Sequence, residues 1–141
     1  MAQFQASNQA QWPIVSVVEV TYQSEFEGTG QVAAIKLPVD AIITKCYAVV
    51  DVQNDDTTAP TFDIGTAADQ DAINGATAFD TGAAAGTVAD YTAAARGLAA
   101  GDGGNIYIDI VQAPTGDGTA GRAFLVLEYV LPYRSNEVQT H

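Results

Sequence analysis

The stretch VQAPTGDGTAGRAFLVLEYV, residues 111–130, contains GDGTAG at 116–121, which has the G-x-G-x-x-G spacing of a dinucleotide-binding loop. Such a loop works between a strand and a helix, because the amides at the helix N-terminus hold the pyrophosphate. Here NIYIDIVQ (105–112) reads as a strand leading into Pro114. RAFLVLEYVL (122–131) then alternates with period two, so the glycines lead into another strand and not into a helix. Gly116, Gly118 and Gly121 are therefore expected to form a hairpin connection, where glycine permits positive φ. GTGQVA (28–33) is a weaker version of the motif and fails in the same way, since QVAAIKL is a strand.

The remaining chemistry-bearing residues are sparse. The single histidine is His141, which leaves no histidine set for a nucleophilic triad or a metal. Cys46 falls mid-strand on an apolar face and reads as a small buried hydrophobe rather than a nucleophile. Paired carboxylates could serve a glycosidase, with Asp55, Asp56, Asp63, Asp69, Asp71 and Asp102 as the candidates. Most sit beside Gly, Thr or Asn, where turn formation explains them without catalysis. Asp69, Asp71 and Asn74 could offer oxygens to calcium, although their spacing is not that of an EF-hand loop. The expectation is no catalytic residue, no cofactor and no resident metal.

The elements around these residues are strands. IVSVVEVTY (14–22) is dense in β-branched residues, with Ile14, Ser16, Val18, Val20 and Tyr22 on one face and Val15, Val17, Glu19 and Thr21 on the other. EGTG (27–30) is turn chemistry, QVAAIKL (31–37) a second strand, and Pro38 stops it. AIITKCYAVVDV (41–52) is a third, expected to point Ile42, Thr44, Cys46, Ala48, Val50 and Val52 inward. NDDTTAP (54–60) is a turn before the short strand TFDIG (61–65). Residues 66–104 are rich in Ala, Gly, Asp and Thr, and glycines interrupt every candidate helix. A structureless loop of that length is unusual, so short strands are expected near Ala76–Asp80 and Gly86–Tyr91, with a helical turn possible at Ala68–Ile73. In 105–112, Ile106, Ile108 and Ile110 share a face; in 122–131, Ala123, Leu125, Leu127, Tyr129 and Leu131 do. Short strands with turn signals and almost no helix indicate an all-β fold, an antiparallel sandwich or barrel with a long Ala/Gly-rich central loop region.

The 141 residues suit one domain: an N-terminal arm over 1–13, a β domain over 14–133 and a polar tail over 134–141. The glutamine-rich arm carries Phe4 and Trp12 as its large apolar side chains. It is either a frayed terminus or a segment that orders on a partner through those two residues. Seventeen acidic and five basic residues leave a net charge of −12, a poor surface for nucleic acid and for anionic membranes. No apolar run approaches the roughly 18 residues of a membrane helix, and no basic region precedes an apolar one as in a signal peptide.

Several strands are apolar on both faces. The second face of 122–131 holds Phe124, Val126 and Val130 beside Arg122 and Glu128; that of 14–22 holds Val15 and Val17. A sheet wetted on one side should alternate cleanly. Either the Ala/Gly-rich loop covers this face or another subunit does, which makes Val15, Val17, Phe124, Val126 and Val130 interface candidates alongside Phe4 and Trp12.

With FDIGTAADQDAI (62–73) as its most recognisable stretch, the chain resembles small structural proteins of tailed-phage virions, in particular capsid decoration or cement proteins with a jelly-roll fold. The matching pieces are Leu37–Pro38, the β-branched run Ile42–Val52, Asp63–Asp69, Ile106–Ile108 and Glu128–Val130. The resemblance covers most of the chain from about residue 31, and its motifs are structural. It implies a non-enzymatic jelly roll, assembled as a homodimer or homotrimer, that is made in the host cytoplasm. The protein would sit on the capsid exterior and bridge major capsid subunits. A tail or head fibre component and a carbohydrate-binding β-sandwich are the competing readings. The latter would need a clustered aromatic platform, for which Tyr91, Tyr107, Tyr129 and Tyr133 are available.

Overall fold

A computed structural model of the chain describes residues 12–22, 31–39, 41–96, 98 and 104–131. Among the described residues, eight strands and one short helix occur in the order β1 (Ile14–Thr21), β2 (Gln31–Lys36), β3 (Ile42–Val52), β4 (Thr61–Gly65), β5 (Phe79–Asp80), β6 (Val88–Asp90), α1 (Thr92–Arg96), β7 (Asn105–Gln112) and β8 (Arg122–Val130). The first pairs with the last, β2 with β7, β3 with β6 and β4 with β5, always antiparallel. That pairing is one long hairpin with its tip between β4 and β5, wound over itself into the sheets β1-β8-β3-β6 and β2-β7-β4-β5. The result is the double-sheet, two-Greek-key layout of a jelly roll, so the expected β-sandwich is what the chain forms.

Alternation supplies the core. Ala123, Leu125, Leu127 and Tyr129 of β8 face Ile106, Ile108 and Ile110 of β7 across the sandwich, all buried, with Phe62 and Ile64 of β4 beside them. β1 is split as its pattern predicts, with Ile14, Val18 and Val20 turned toward the core and Val15 and Val17 outward.

The structure corrects β3. Its register against β8 shifts between Ile43 and Lys45, so Ile43 is buried while Ile42 is 50% exposed. The extra residue is Thr44, whose hydroxyl donates to the Glu128 carbonyl at 3.2 Å and to Glu128 Oε1 at 2.8 Å. A bulge of this kind flips every residue before it to the other face. A second shift after Val50 likewise turns Val52 out of the core. Thr44, a polar residue on an otherwise apolar face, was the visible sign of the first one.

The central region carries its two short strands, β5 and β6, inside the expected windows. Residues 68–73 form turns, and the helix lies instead at Thr92–Arg96, where three alanines meet the least conformational cost. Asp90 Oδ1 accepts the Thr92 N–H at 2.9 Å at the entrance to α1, and Ala95 is fully buried. Hydrogen bonds from Thr92 hold the Asp90 carboxyl below the usual carboxylate range.

Candidate functional site

The glycine loop is not a hairpin. β7 and β8 belong to opposite sheets, so residues 113–121 cross from one to the other. Gly116 and Gly121 do adopt positive φ, at 115° and 153°. The amides that a phosphate would need are already used by carboxylates of this chain. Asp55 Oδ1 accepts the Thr119 and Ala120 N–H groups, both at 2.8 Å, and Asp56 Oδ1 accepts the Gly118 N–H at 2.8 Å. The Asp55 N–H returns a bond to the Ala120 carbonyl at 3.2 Å. A side chain at Gly118 would collide with Asp56, which is why the loop is glycine there. Asp55 and Asp56 thus act as an internal anion pair closing the 54–57 turn onto the 116–121 loop.

These bonds hold the Asp55 carboxyl below its usual range, the backbone bond from Ala120 contributing most. A carboxyl depressed in the folded state stabilises it above the unfolded pKa of about 4 and loses that contribution as pH falls through the folded value. Asp55→Ala is expected to melt below the wild type at pH 6–7, with the gap narrowing progressively below about pH 4. Thermal melts across pH 2–7 check this, and a gap independent of pH would contradict it.

The calcium candidates are not brought together as a ligand set. Asn74 Oδ1 accepts the Ile64 N–H at 2.8 Å, while its Nδ2 donates to the Phe62 and Thr77 carbonyls and to Asp63 Oδ1. Asn74 therefore ties the 66–77 loop to the edge of β4. Asp69 and Asp71 do meet, and their mutual contact raises the Asp69 pKa. Among the described residues no three His, Cys, Asp or Glu side chains gather as a metal ion would require. Cys46 is buried between the sheets, and desolvation pushes its thiol up to about 12, which removes it as a nucleophile at neutral pH.

The carbohydrate platform does not assemble among the described residues. Tyr129 is in the core, Tyr91 lies half-buried against it, and Tyr107 is paired with Gly65 on the other sheet. Tyr133, like Phe4 and Asp102, lies outside the described residues.

What remains is a contrast between the two outer faces. On the β2-β7-β4-β5 sheet the outward residues include Thr61, Asp63, Asp80, Asn105 and Asp109, with Asp63 directly opposite Asp109. That surface belongs in water. On the β1-β8-β3-β6 sheet, Val17, Val126, Tyr47 and Asp90 form one cross-strand row, and Glu19, Phe124, Val49 and Val88 the next. Val17 is 57% and Val88 59% exposed, so no described segment covers the rim of this face. The structure places Val15, Val17, Phe124, Val126 and Val130 together on it, while Trp12 stands 85% exposed just before β1. Tyr47, Val49 and Val88 join the patch without having been singled out in the sequence. For β3, the apolar residues on both faces of KCYAVVD (45–51) were the available signal.

No protein-family model matches this chain, and no curated protein matches it in sequence. Its fold is similar to that of a chain in the cyanophage Pam1 capsid asymmetric unit, with a TM-score of 0.61 and 18% identity over 93% of this chain and 94% of that one. It is also similar to a chain in the capsid of Ralstonia phage GP4, with a TM-score of 0.55 and 16% identity over 92% of this chain and 90% of that one. At these identities the likeness is one of fold.

Proposed function

We propose that this chain is a non-enzymatic structural protein of a phage virion, one that binds the capsid exterior and bridges major capsid subunits as a cement or decoration protein. The observation that carries the reading is the fold match, which runs nearly end to end in both directions with chains taken from phage capsids. Near-equal coverage means the matched chains are about the length of this one, so the likeness is between whole small proteins.

In this reading the arm, through Phe4 and Trp12, reaches the shell, and many copies share the load through avidity. Counting this chain against the major capsid protein by quantitative mass spectrometry of purified particles tests it. A ratio within a few-fold of the shell protein is expected. A handful of copies per particle would point to a tail or fibre component, and absence from particles would remove the virion reading altogether.

A chain lacking residues 1–13 is expected to keep the melting behaviour of the full chain and to bind particles at least about tenfold more weakly, the equivalent of losing one buried aromatic anchor. Full-strength binding by the truncated chain would show that the arm does not reach the shell.

A further inference from the structure

We propose that the outer edge of β1 is a docking site for an extended segment of a second protein, which adds itself as a further strand to the four-stranded β1-β8-β3-β6 sheet. The segment that fits is apolar on alternate residues and carries a Lys or Arg where it passes Glu19. Assigning the segment to the shell protein rests on the virion reading; the properties of the edge do not.

Backbone register decides what this edge offers. The Tyr22 N–H donates to the Gly121 carbonyl at 3.1 Å, one step beyond the last pair of the β1–β8 ladder, and so fixes its parity. In an antiparallel pair, residues that exchange hydrogen bonds with the neighbouring strand alternate with residues that do not. Ile14, Ser16, Val18 and Val20 therefore bond to β8, while Val15, Val17 and Glu19 turn their N–H and C=O groups away from it. Among the described residues β1 has no strand partner other than β8, so those groups meet no ladder.

The other edges of the sandwich are blunted. β5 is two residues long and β6 three, and β2 carries a bulge between Ala33 and Ile35 and ends in Lys36. Short length, bulges and lysine are the usual protections against stray strand pairing. β1 has none of them: eight residues in unbroken register, without lysine or an internal proline. Val15 and Val17 are more than half exposed along it. Its inward side chains, Ile14, Ser16, Val18 and Val20, are only half-buried, whereas Ala123, Leu125, Leu127 and Tyr129 on the adjoining β8 are buried. An added strand closes the core over that rim and gives the outward backbone groups their partners.

Charge selects the chain that supplies the strand. Residues 1–30 contain Glu19, Glu25 and Glu27 and no Lys or Arg. Neither segment flanking β1, nor the β1 of a second copy, brings a basic side chain to Glu19. A second copy also brings a net charge of −12 against −12. An extended segment of a different protein, with a basic residue in register with Glu19, meets neither penalty.

Hydrogen exchange read by mass spectrometry on fragments spanning residues 14–21 tests this, on the full chain alone and on the full chain bound to shells of the source virus prepared without it. In the free chain the Val15, Val17 and Glu19 amides are expected to exchange as open amides, and on the shells to become protected. Val17→Pro removes an outward N–H and no bond to β8, a position where an edge strand tolerates proline. It is expected to stay folded by circular dichroism and to bind shells at least about tenfold more weakly. Val17→Thr keeps the N–H and the branched shape and is expected to bind within about threefold of wild type. Glu19→Lys is expected to weaken binding at least about tenfold. If the proline variant does not fold, exchange on the wild-type chain and the Glu19→Lys variant decide the question. Edge amides already protected in the free chain would mean that a segment of this chain or a second copy occupies the edge, and would overturn the proposal. So would amides that stay open on the shells, binding indifferent to Val17→Pro or Glu19→Lys, or a loss with Val17→Thr as large as with Val17→Pro, which would assign the contact to the side-chain face. Each of these results leaves the virion reading standing. Failure of the wild-type chain to bind shells at all would remove that reading and the partner with it.

Discussion

Leu127→Ala is expected to cost about 2–5 kcal/mol of folding stability, in the upper half of that range. Leu127 has no exposed surface, and it sits mid-strand in β8 between Ser16 of β1 and Cys46 of β3. Truncation removes three buried carbons and leaves a cavity. The cavity is hard to close, because β8 is held on both sides by antiparallel ladders and cannot move inward without breaking them. In urea the midpoint should fall with little change in slope, and the melting temperature should drop by roughly 10 °C. Val126→Ala is the control, since Val126 is half-buried on the outer face and a much smaller loss is expected in the isolated chain. Equal losses at the two positions would mean that the two faces of β8 are buried alike, and a larger loss at Val126 that β8 presents them the other way round.

Gly65→Ala is expected to cost about 3 kcal/mol, although it adds a single methyl group. Gly65 ends β4 with ordinary backbone conformation, so the constraint is space rather than φ. A Cβ there would overlap the Asp69 carbonyl oxygen and lie 2.5 Å from that of Gln70. Both obstacles are backbone atoms, and no rotamer change moves them aside. The 66–77 loop would have to lift. It is fastened by the Thr66 N–H to the Asp69 carbonyl at 2.7 Å, by the Ile73 N–H to the Ile64 carbonyl at 2.9 Å, and by the Asn74 bonds. Lifting it also draws the buried Ile73 out of the core. Denaturation together with hydrogen exchange at Ile64 and Ile73 reads the effect. A variant within about 0.5 kcal/mol of wild type, on the scale of a neutral surface change, would show that the loop does not press on β4.

Much of the fold was legible because strand alternation is local. The inward sets of β1, β7 and β8 come from period two alone, and the two short central strands come from the improbability of a long structureless loop. Legibility ended where one residue changed the phase. Thr44 shifts Ile42 and Ile43 between faces, and only the pairing with Glu128 shows that it does so. The helix at Thr92–Arg96 is too short to show periodicity, and its position depends on Asp90 and on Ala95 finding the core.

The sequence by itself determined the class of the molecule: all-β, strongly acidic, poor in catalytic and metal-binding residues, with strands apolar on two faces. Those properties depend on composition and on neighbours two residues apart. The tertiary structure decided which distant segments meet. It sent β7 and β8 into opposite sheets, so a loop expected to be a hairpin became a crossing clamped by Asp55 and Asp56, more than 60 residues earlier in the chain. It set Glu128 beside Lys45 and Arg122 beside Asp51 on one outer face, and Asp63 opposite Asp109 on the other. Such juxtapositions come from strand register across long loops, and register is set by the whole core packing at once rather than by any local stretch of residues.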